Sequence, residues 1–204
     1  MVMKIVYWVI LCNVLLLLGL ILLIIYAKQF EPSIAGLFMP PATPPYPTAG
    51  LLTHTFQIFC CIAPVVCLFS FCLLNHLNPQ NKNNRFILGS ALITGGFALN
   101  EIYRIHIISQ YFYPSKYLFI KIYAVILLLY ILIFFNYFKS TPYGIIIVSI
   151  VLLGFAIAVD SLHLGLGVFS SLLEGIPKLF SGLNLALYFW LVCYQELLSI
   201  IESK

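Results

Sequence analysis

The sequence predicts an all-α integral membrane protein, a polytopic bundle of about six transmembrane helices. Of its 204 residues, 63% are hydrophobic and only 8% are charged, whereas a soluble domain carries roughly 25% charged residues. The mean hydropathy of +1.09 agrees with this composition. So few charges cannot cover a globule with a solvated surface. The composition therefore excludes a soluble enzyme, a nucleic-acid-binding module, a disordered segment and a disulfide-stabilised mini-protein.

Charge and cysteine usage narrow the class further. The net charge of +4 comes from ten Lys and Arg against six Asp and Glu. The basic residues are scattered singly, so the sequence forms neither a nucleic-acid patch nor a polybasic lipid-binding arm. All six cysteines lie in apolar stretches without CxxC or Cys/His spacing. We interpret them as small buried hydrophobes, not as zinc ligands or a disulfide framework.

Six stretches approach the roughly 20 apolar residues that a membrane-spanning helix needs. They cover residues 4–28, 50–77, 86–109, 117–138, 143–164 and 179–201. No small-residue cleavage site follows the first stretch, which predicts a retained anchor. Pro64 predicts a kink in the second. Because little of the sequence lies outside these stretches, we predict a single integral-membrane domain over residues 1–204.

Two connections are longer than a turn. The stretch from Glu31 to Thr48 contains six prolines, which predicts an extended, non-helical segment. Its apolar residues are expected at the membrane interface (Ile34, Leu37, Phe38 and Met39). The stretch Val168–Lys178 predicts a short interfacial helix that ends at Gly175 and Pro177, before the last span.

The orientation follows from the positive-inside rule. The loop from Asn78 to Arg85 carries Lys82 and Arg85 and no acidic residue. Basic loops favour the cytoplasmic side. We therefore predict that this loop and, with six spans, both termini lie in the cytoplasm.

Three of the predicted spans carry a narrow polar stripe at about 100° per residue. The stripes comprise Ser90, Thr94, Glu101 and Arg104 on the third span; Ser149, Asp160 and His163 on the fifth; and Ser181, Asn184, Tyr188, Gln195 and Ser199 on the sixth. The simplest packing turns these stripes toward each other. The fourth span has almost no polar residues and is expected to face lipid.

Alternating span directions place most acidic residues and three of the four histidines at one membrane face. Ionisable groups are costly to bury in a membrane, so function is the default hypothesis for them. The candidate catalytic residues are Glu101, Asp160 and Glu174. The candidate binding residues are Asn100, Arg104, Lys178 and Asn184. The candidate ligands for a divalent metal such as zinc are His54, His106, Asp160 and His163. The sequence therefore predicts a buried ionisable cluster at that face.

Two interpretations of these residues stay open. Asp160 and His163 are one helical turn apart, so they can project together as metal ligands or as an acid–base pair. Alternatively, Arg104 forms a purely structural ion pair with Glu101 or Asp160. Similarly, Asn13, Asn184 and Gln195 can serve as interhelical hydrogen-bonding residues.

Three functions are compatible with this pattern. The first is a non-enzymatic accessory or ligand- or ion-binding membrane component, because the sequence has no specific catalytic motif. The second is a metal-assisted lipid hydrolase or transferase, in which Arg104 binds an anionic headgroup. The third is a proton or small-solute conduit along the polar stripes. The expected partners are the lipid bilayer and other membrane subunits, with no nucleic acid.

Overall fold

The computed structural model describes residues 2–31, 33–38, 48–105, 116–162 and 168–202. Within these ranges the chain forms α-helices and one 3-10 helix, with no β-strand. The α-helices are α1 (Val2–Phe30), α2 (Leu51–Leu77), α3 (Asn83–Tyr103), α4 (Lys116–Ile133), α5 (Phe135–Ser140), α6 (Tyr143–Leu162) and α7 (Val168–Glu202). The 3-10 helix, Ile34–Phe38, lies between α1 and α2.

Five of these helices, α1, α2, α3, α6 and α7, are long and apolar enough to cross a membrane. This confirms the all-α prediction and is compatible with a multi-pass integral membrane protein. The predicted fourth span, 117–138, differs from the others. It is divided at Phe134 (φ −105°, ψ 19°) into α4, with 18 residues, and α5, with six. The predicted count of six spans is therefore not confirmed.

The last helix corrects the prediction of a separate interfacial helix at Val168–Lys178. Helix α7 continues through Gly175 and Pro177 for 35 residues, which at 1.5 Å per residue is about 52 Å. A bilayer core is about 30 Å thick, so α7 is longer than one span requires. Proline is tolerated within such helices because neighbouring groups satisfy the freed carbonyl. Gly175 lies under the ring of Phe38, which occupies the space that a side chain would need.

The connection after α1 also differs in part from the expected extended segment. Ile34–Phe38 is helical, because this stretch precedes the closely spaced prolines. Leu37 is fully buried, so it packs inside the protein. The backbone N–H of Gly50, at φ 74°, donates to the Gly36 carbonyl at 2.7 Å. Met39 and the prolines of this segment lie outside the described residues.

Helix α3 ends earlier than the predicted 109. Its last residue is Tyr103, and Arg104 adopts a left-handed conformation (φ 51°, ψ 43°). The backbone N–H of Arg104 donates to the carbonyl of Asn100, which completes the end of the helix. Positive φ is uncommon for a residue with a side chain. Helical spacing predicted that Arg104 lies on the same polar stripe as Glu101. Because Arg104 is not helical, that spacing does not give the position of its side chain.

The chain divides into two compact units. The first comprises Met1–Phe59 and Ile145–Leu187, and the second comprises Cys60–Gly144 and Tyr188–Lys204. In the first unit, Gly182 allows α7 to approach Phe56 and Phe59 of α2, because a Cβ there would lie 2.9 Å from the Phe56 ring. In the second unit, the buried ring of Phe86 lies among aromatic rings of α4 and α5 (Tyr130, Phe134, Tyr137 and Phe138).

Candidate functional site

The first unit contains a reciprocal pair of side-chain amides, Asn13 on α1 and Asn184 on α7. Asn184 Nδ2 donates to Asn13 Oδ1 at 2.9 Å, and Asn13 Nδ2 donates to Asn184 Oδ1 at 3.1 Å. Asn184 is only 3% exposed, and Asn13 is half-buried. An amide that is transferred to an apolar environment must form hydrogen bonds or lose several kcal/mol. The two amides therefore satisfy each other between two apolar helices.

Each amide is also tied to its own helix. Asn13 Nδ2 donates to the carbonyl of Val9 at 2.8 Å, and Asn184 Nδ2 donates to the carbonyl of Phe180 at 2.8 Å. These carbonyls lie four residues earlier, which is a common pattern for short polar side chains in helices. Because a carbonyl can only accept, each bond fixes which end of the amide is nitrogen. The orientation of both side chains is thus determined by the backbone.

The amide pair lines a groove between α1, α6 and α7 with a volume of about 310 Å³. The rest of the lining is apolar. Its residues are Val9, Ile10, Val14, Leu17, Val148, Leu152 and Phe180. Ligand sites in proteins combine an apolar wall with a few polar groups that fix orientation, at volumes from roughly 300 Å³ upward. This groove has that composition.

A second buried contact holds one wall of the groove. Ser149 Oγ on α6 donates to the backbone carbonyl of Ser181 on α7 at 2.8 Å and lies 3.2 Å from Ser181 Oγ. Both serines are buried. Small hydroxyl residues let helix backbones approach closely and hydrogen-bond across them. Val148 and Leu152, which line the groove, lie on the helix that this contact fixes.

The predicted polar stripes are buried in part. Ser181, Asn184 and Tyr188 of the sixth predicted span are buried, whereas Ser199 is exposed. In the same way, the other two stripes are buried near the middle of their helices and less so near the ends. The buried residues are Ser90, Thr94 and Ser149, Glu101 is half-buried, and Arg104 and Asp160 are exposed.

The structure places the other candidate residues of the first unit as follows. Glu174 and Lys178 form an ion pair along α7, with Lys178 Nζ 2.5 Å from Glu174 Oε1 and both side chains half-buried. His54 is exposed on α2, and its Nδ1 lies 3.1 Å from Gln57 Oε1. Asp160 is exposed near the end of α6. Of the predicted site residues that the structure describes, Asn184 alone lines the groove.

The remaining candidates belong elsewhere. Asn100, Glu101 and Arg104 lie at the end of α3, in the second unit, where Asn100 is buried. His106 and His163 lie outside the described residues. Among the residues that the structure describes, no group of three or more His, Cys, Asp or Glu is arranged to hold a metal ion. The predicted ionisable cluster and its metal therefore stay predictions.

The second unit contains a polar network that the sequence did not indicate. Both carboxylate oxygens of Glu196 on α7 accept from Asn83 Nδ2 at 3.1 Å. The hydroxyl of Tyr137 on α5 donates to Glu196 Oε1 at 2.6 Å. These three residues are far apart in sequence, and none of them follows a motif. No sequence pattern therefore indicates that they meet.

Burial determines the chemistry of this network. It raises the pKa of the Tyr137 hydroxyl well above its usual range, and the hydrogen bond to the Glu196 carboxylate raises it further. Tyr137 therefore acts as a hydrogen-bond donor at neutral pH.

Next to Asn83 in the sequence, Asn84 donates its Nδ2 to the carbonyl of Asn78 at 3.0 Å. The buried Oδ1 of Asn84 has no hydrogen-bond partner among the residues that the structure describes.

Comparison with known proteins gives one match. A family model described as "Domain of unknown function (DUF8692)" matches residues 6–193. The matched region contains every residue that lines the groove and ends before Glu196. No curated protein and no solved structure matches the chain.

Proposed function

We propose a ligand-binding role for this chain, which belongs to the family described as "Domain of unknown function (DUF8692)". In this role it is a non-enzymatic, multi-pass membrane component that takes an apolar ligand into the groove between α1, α6 and α7. The observation that carries the proposal is the position of the Asn13–Asn184 pair in the wall of that groove.

The composition of the groove supports binding without chemical conversion. Its lining consists of aliphatic residues, one phenylalanine and two asparagines. None of these lining side chains is a carboxylate, an imidazole, a thiol or an amine, so none can act as a nucleophile or as a general acid or base. Apolar surface provides affinity, and the two amides provide orientation.

Site-specific photolabelling tests this role. The probe is the methyl ether of a long-chain alcohol with a diazirine in its alkyl chain, added to the full-length protein in phosphatidylcholine nanodiscs. After illumination, mass spectrometry of peptides should locate the label on the groove helices, at residues 9–17 of α1 and 148–152 of α6. Labelling should saturate with probe concentration, because a defined groove has a limited capacity.

Two tryptophan substitutions on α6 separate groove binding from lipid contact. Leu152→Trp places an indole in the groove and should abolish saturable labelling. Val151→Trp adds the same indole at a neighbouring side chain that is 63% exposed and should leave labelling unchanged. Labelling that does not saturate, or that both variants reduce equally, would show that the probe only samples the lipid-facing surface, and the proposal would be wrong.

A further inference from the structure

The hydrogen bonds of the amide pair leave a specific set of groups for a ligand. Two side-chain amides together carry four N–H donors. All four are used, by the carbonyls of Val9 and Phe180 and by the two Oδ1 atoms. Each Oδ1 accepts one of these bonds and can accept two. The pair therefore has spare acceptor capacity and no spare donor.

This imbalance selects the chemistry of the ligand. A molecule that can only accept hydrogen bonds, such as an ether or an ester, finds no donor in this pair. A carboxylate or a phosphate is disfavoured as well, because no lining residue carries a positive charge and an unpaired anion in an apolar site is costly. A neutral donor, in contrast, matches the spare acceptor capacity of two oriented amides that line the groove.

We infer that the groove takes a hydroxyl-bearing lipid, a molecule with one alcohol group on an apolar body. Its O–H donates to Oδ1 of Asn13 or Asn184, and its hydrocarbon part contacts the aliphatic wall. This inference rests on the proposed function, since it specifies the ligand of the same groove. Fatty alcohols, prenols and sterols share the required chemistry.

The way the amides are held explains why they can serve as receptors. A flexible amide would lose conformational entropy when it orders around a ligand. Here the bonds to Val9 and Phe180 and the reciprocal pair fix both amides before the ligand arrives. An alcohol that binds therefore finds an acceptor that is already oriented, and no hydrogen bond of the amide pair has to break.

Competition against the diazirine ether tests the inference. Dodecanol and dodecyl methyl ether have the same alkyl chain and differ in whether the oxygen carries a hydrogen. Each is titrated against the photolabel in nanodiscs, and its concentration in the bilayer is corrected by its partition into protein-free nanodiscs. Dodecanol should compete about two- to tenfold more strongly, which corresponds to one net hydrogen bond.

The matched variant is the double substitution Asn13→Leu/Asn184→Leu. It removes both acceptors and leaves neither amide unpaired, so the groove stays apolar and the alcohol preference should fall to about onefold. Because this variant can fail to fold, a second comparison uses the wild-type protein alone. Dodecanoate at a pH where it is ionised should compete less well than either neutral probe.

The outcomes distinguish the inference from the proposed function. If the alcohol preference is the same in the wild type and in the double variant, or if dodecanoate competes best, the alcohol inference is wrong while saturable labelling still supports a groove ligand. If no probe labels the groove, the proposed function itself fails. If the groove is labelled only after a tightly bound partner helix is removed, its occupant is a protein and the alcohol inference is again overturned.

Discussion

One interhelical polar contact of the first unit joins two neutral amides, Asn13 and Asn184, whereas one of the second unit joins a carboxylate, Glu196, to an amide and a phenol. The neutral pair uses all four of its N–H donors, so it can lie between apolar helices at little cost. In the second contact the Glu196 carboxylate carries a formal charge, and the neutral donors of Asn83 and Tyr137 stabilise it. Glu196 is correspondingly half-buried.

This difference indicates what each contact is suited to do. The Asn13–Asn184 pair is neutral and oriented and lies in an apolar wall. It therefore suits a site that recognises a single hydrogen-bonding group on an otherwise apolar molecule. A carboxylate that is held only by neutral donors requires a polar environment to remain charged. The two contacts should therefore respond differently when one partner is removed, and three substitutions make that comparison quantitative.

The largest effect is expected from Asn184→Leu. This change leaves an N–H and an Oδ1 of Asn13 without partners between apolar helices, which should lower the free energy of unfolding by about 2–3 kcal/mol. The double variant Asn13→Leu/Asn184→Leu removes both amides and should be more stable than the single variant. Unfolding in mixed micelles with increasing SDS measures both.

The control for this comparison is Ser199→Leu, on the same helix. Ser199 is exposed, and its Oγ donates within α7 to the carbonyl of Glu196. Its substitution should change the free energy of unfolding by less than about 0.5 kcal/mol. If the double variant is less stable than Asn184→Leu, the amides contribute independently and do not act as a reciprocal pair.

A smaller effect is expected from Glu196→Leu in the second unit. It removes the acceptor of both Asn83 Nδ2 and the Tyr137 hydroxyl. The network is only partly buried, so water can reach the freed donors, and the loss should be about 1–2 kcal/mol. Glu196→Gln retains a carbonyl acceptor and should lose less than about 1 kcal/mol.

The same SDS titration measures these variants, with Glu202→Leu as the exposed control on α7. Equal losses in Glu196→Leu and Glu196→Gln would mean that the charge of the carboxylate, and not its accepting oxygens, stabilises the network. A loss in Glu196→Leu that exceeds that of Asn184→Leu would reverse the proposed difference between the two contacts.

The fold class and several helices could be predicted from sequence because hydrocarbon thickness fixes the length of an apolar span. Residues 50–77 correspond to α2, Leu51–Leu77, almost to the residue. The prediction that a helix ends at Gly175 and Pro177 was wrong. Glycine and proline are weaker signals for a helix end where neighbouring groups form hydrogen bonds with the freed backbone groups. Similarly, nothing in the spacing around Arg104 predicts its left-handed conformation.

The binding role predicted for Asn184 stays a prediction, and the structure bears only on the other interpretation of this residue, as an interhelical hydrogen-bonding residue. Asn184 followed from the polar stripe of its helix, and hydrogen bonding by Asn13 and Asn184 between helices is confirmed. Their pairing could not be derived, because Asn13 is an isolated polar residue in a long apolar helix and lies far from Asn184 in sequence. Glu196 and Tyr137 likewise meet only through the fold. Helical spacing shows which residues share a face, but it does not identify the partner of that face.

Among the substitutions that remove a hydrogen-bonding group from one of the two contacts, Tyr137→Phe is expected to have the smallest effect at neutral pH, and its pH dependence makes it specific. Loss of the hydrogen bond to Glu196 should cost about 1 kcal/mol. In the unfolded chain a tyrosine hydroxyl ionises near pH 10, whereas burial and Glu196 raise the pKa of folded Tyr137 above that value. The stabilising contribution of this group is therefore fully present below pH 10 and is lost as the pH rises toward the folded pKa.

Above pH 10 the wild type should accordingly lose about 1.4 kcal/mol per pH unit more than Tyr137→Phe, so the stability difference between them should shrink and then change sign. SDS unfolding at several pH values from about 8 to 11 measures this slope. Parallel curves for the two proteins would show that the Tyr137 hydroxyl is as accessible in the folded protein as in the unfolded chain. In that case the second unit would not protect the Tyr137 hydroxyl from solvent. The difference between the Glu196 network and the Asn13–Asn184 pair would then be larger than the burial of Tyr137 indicates.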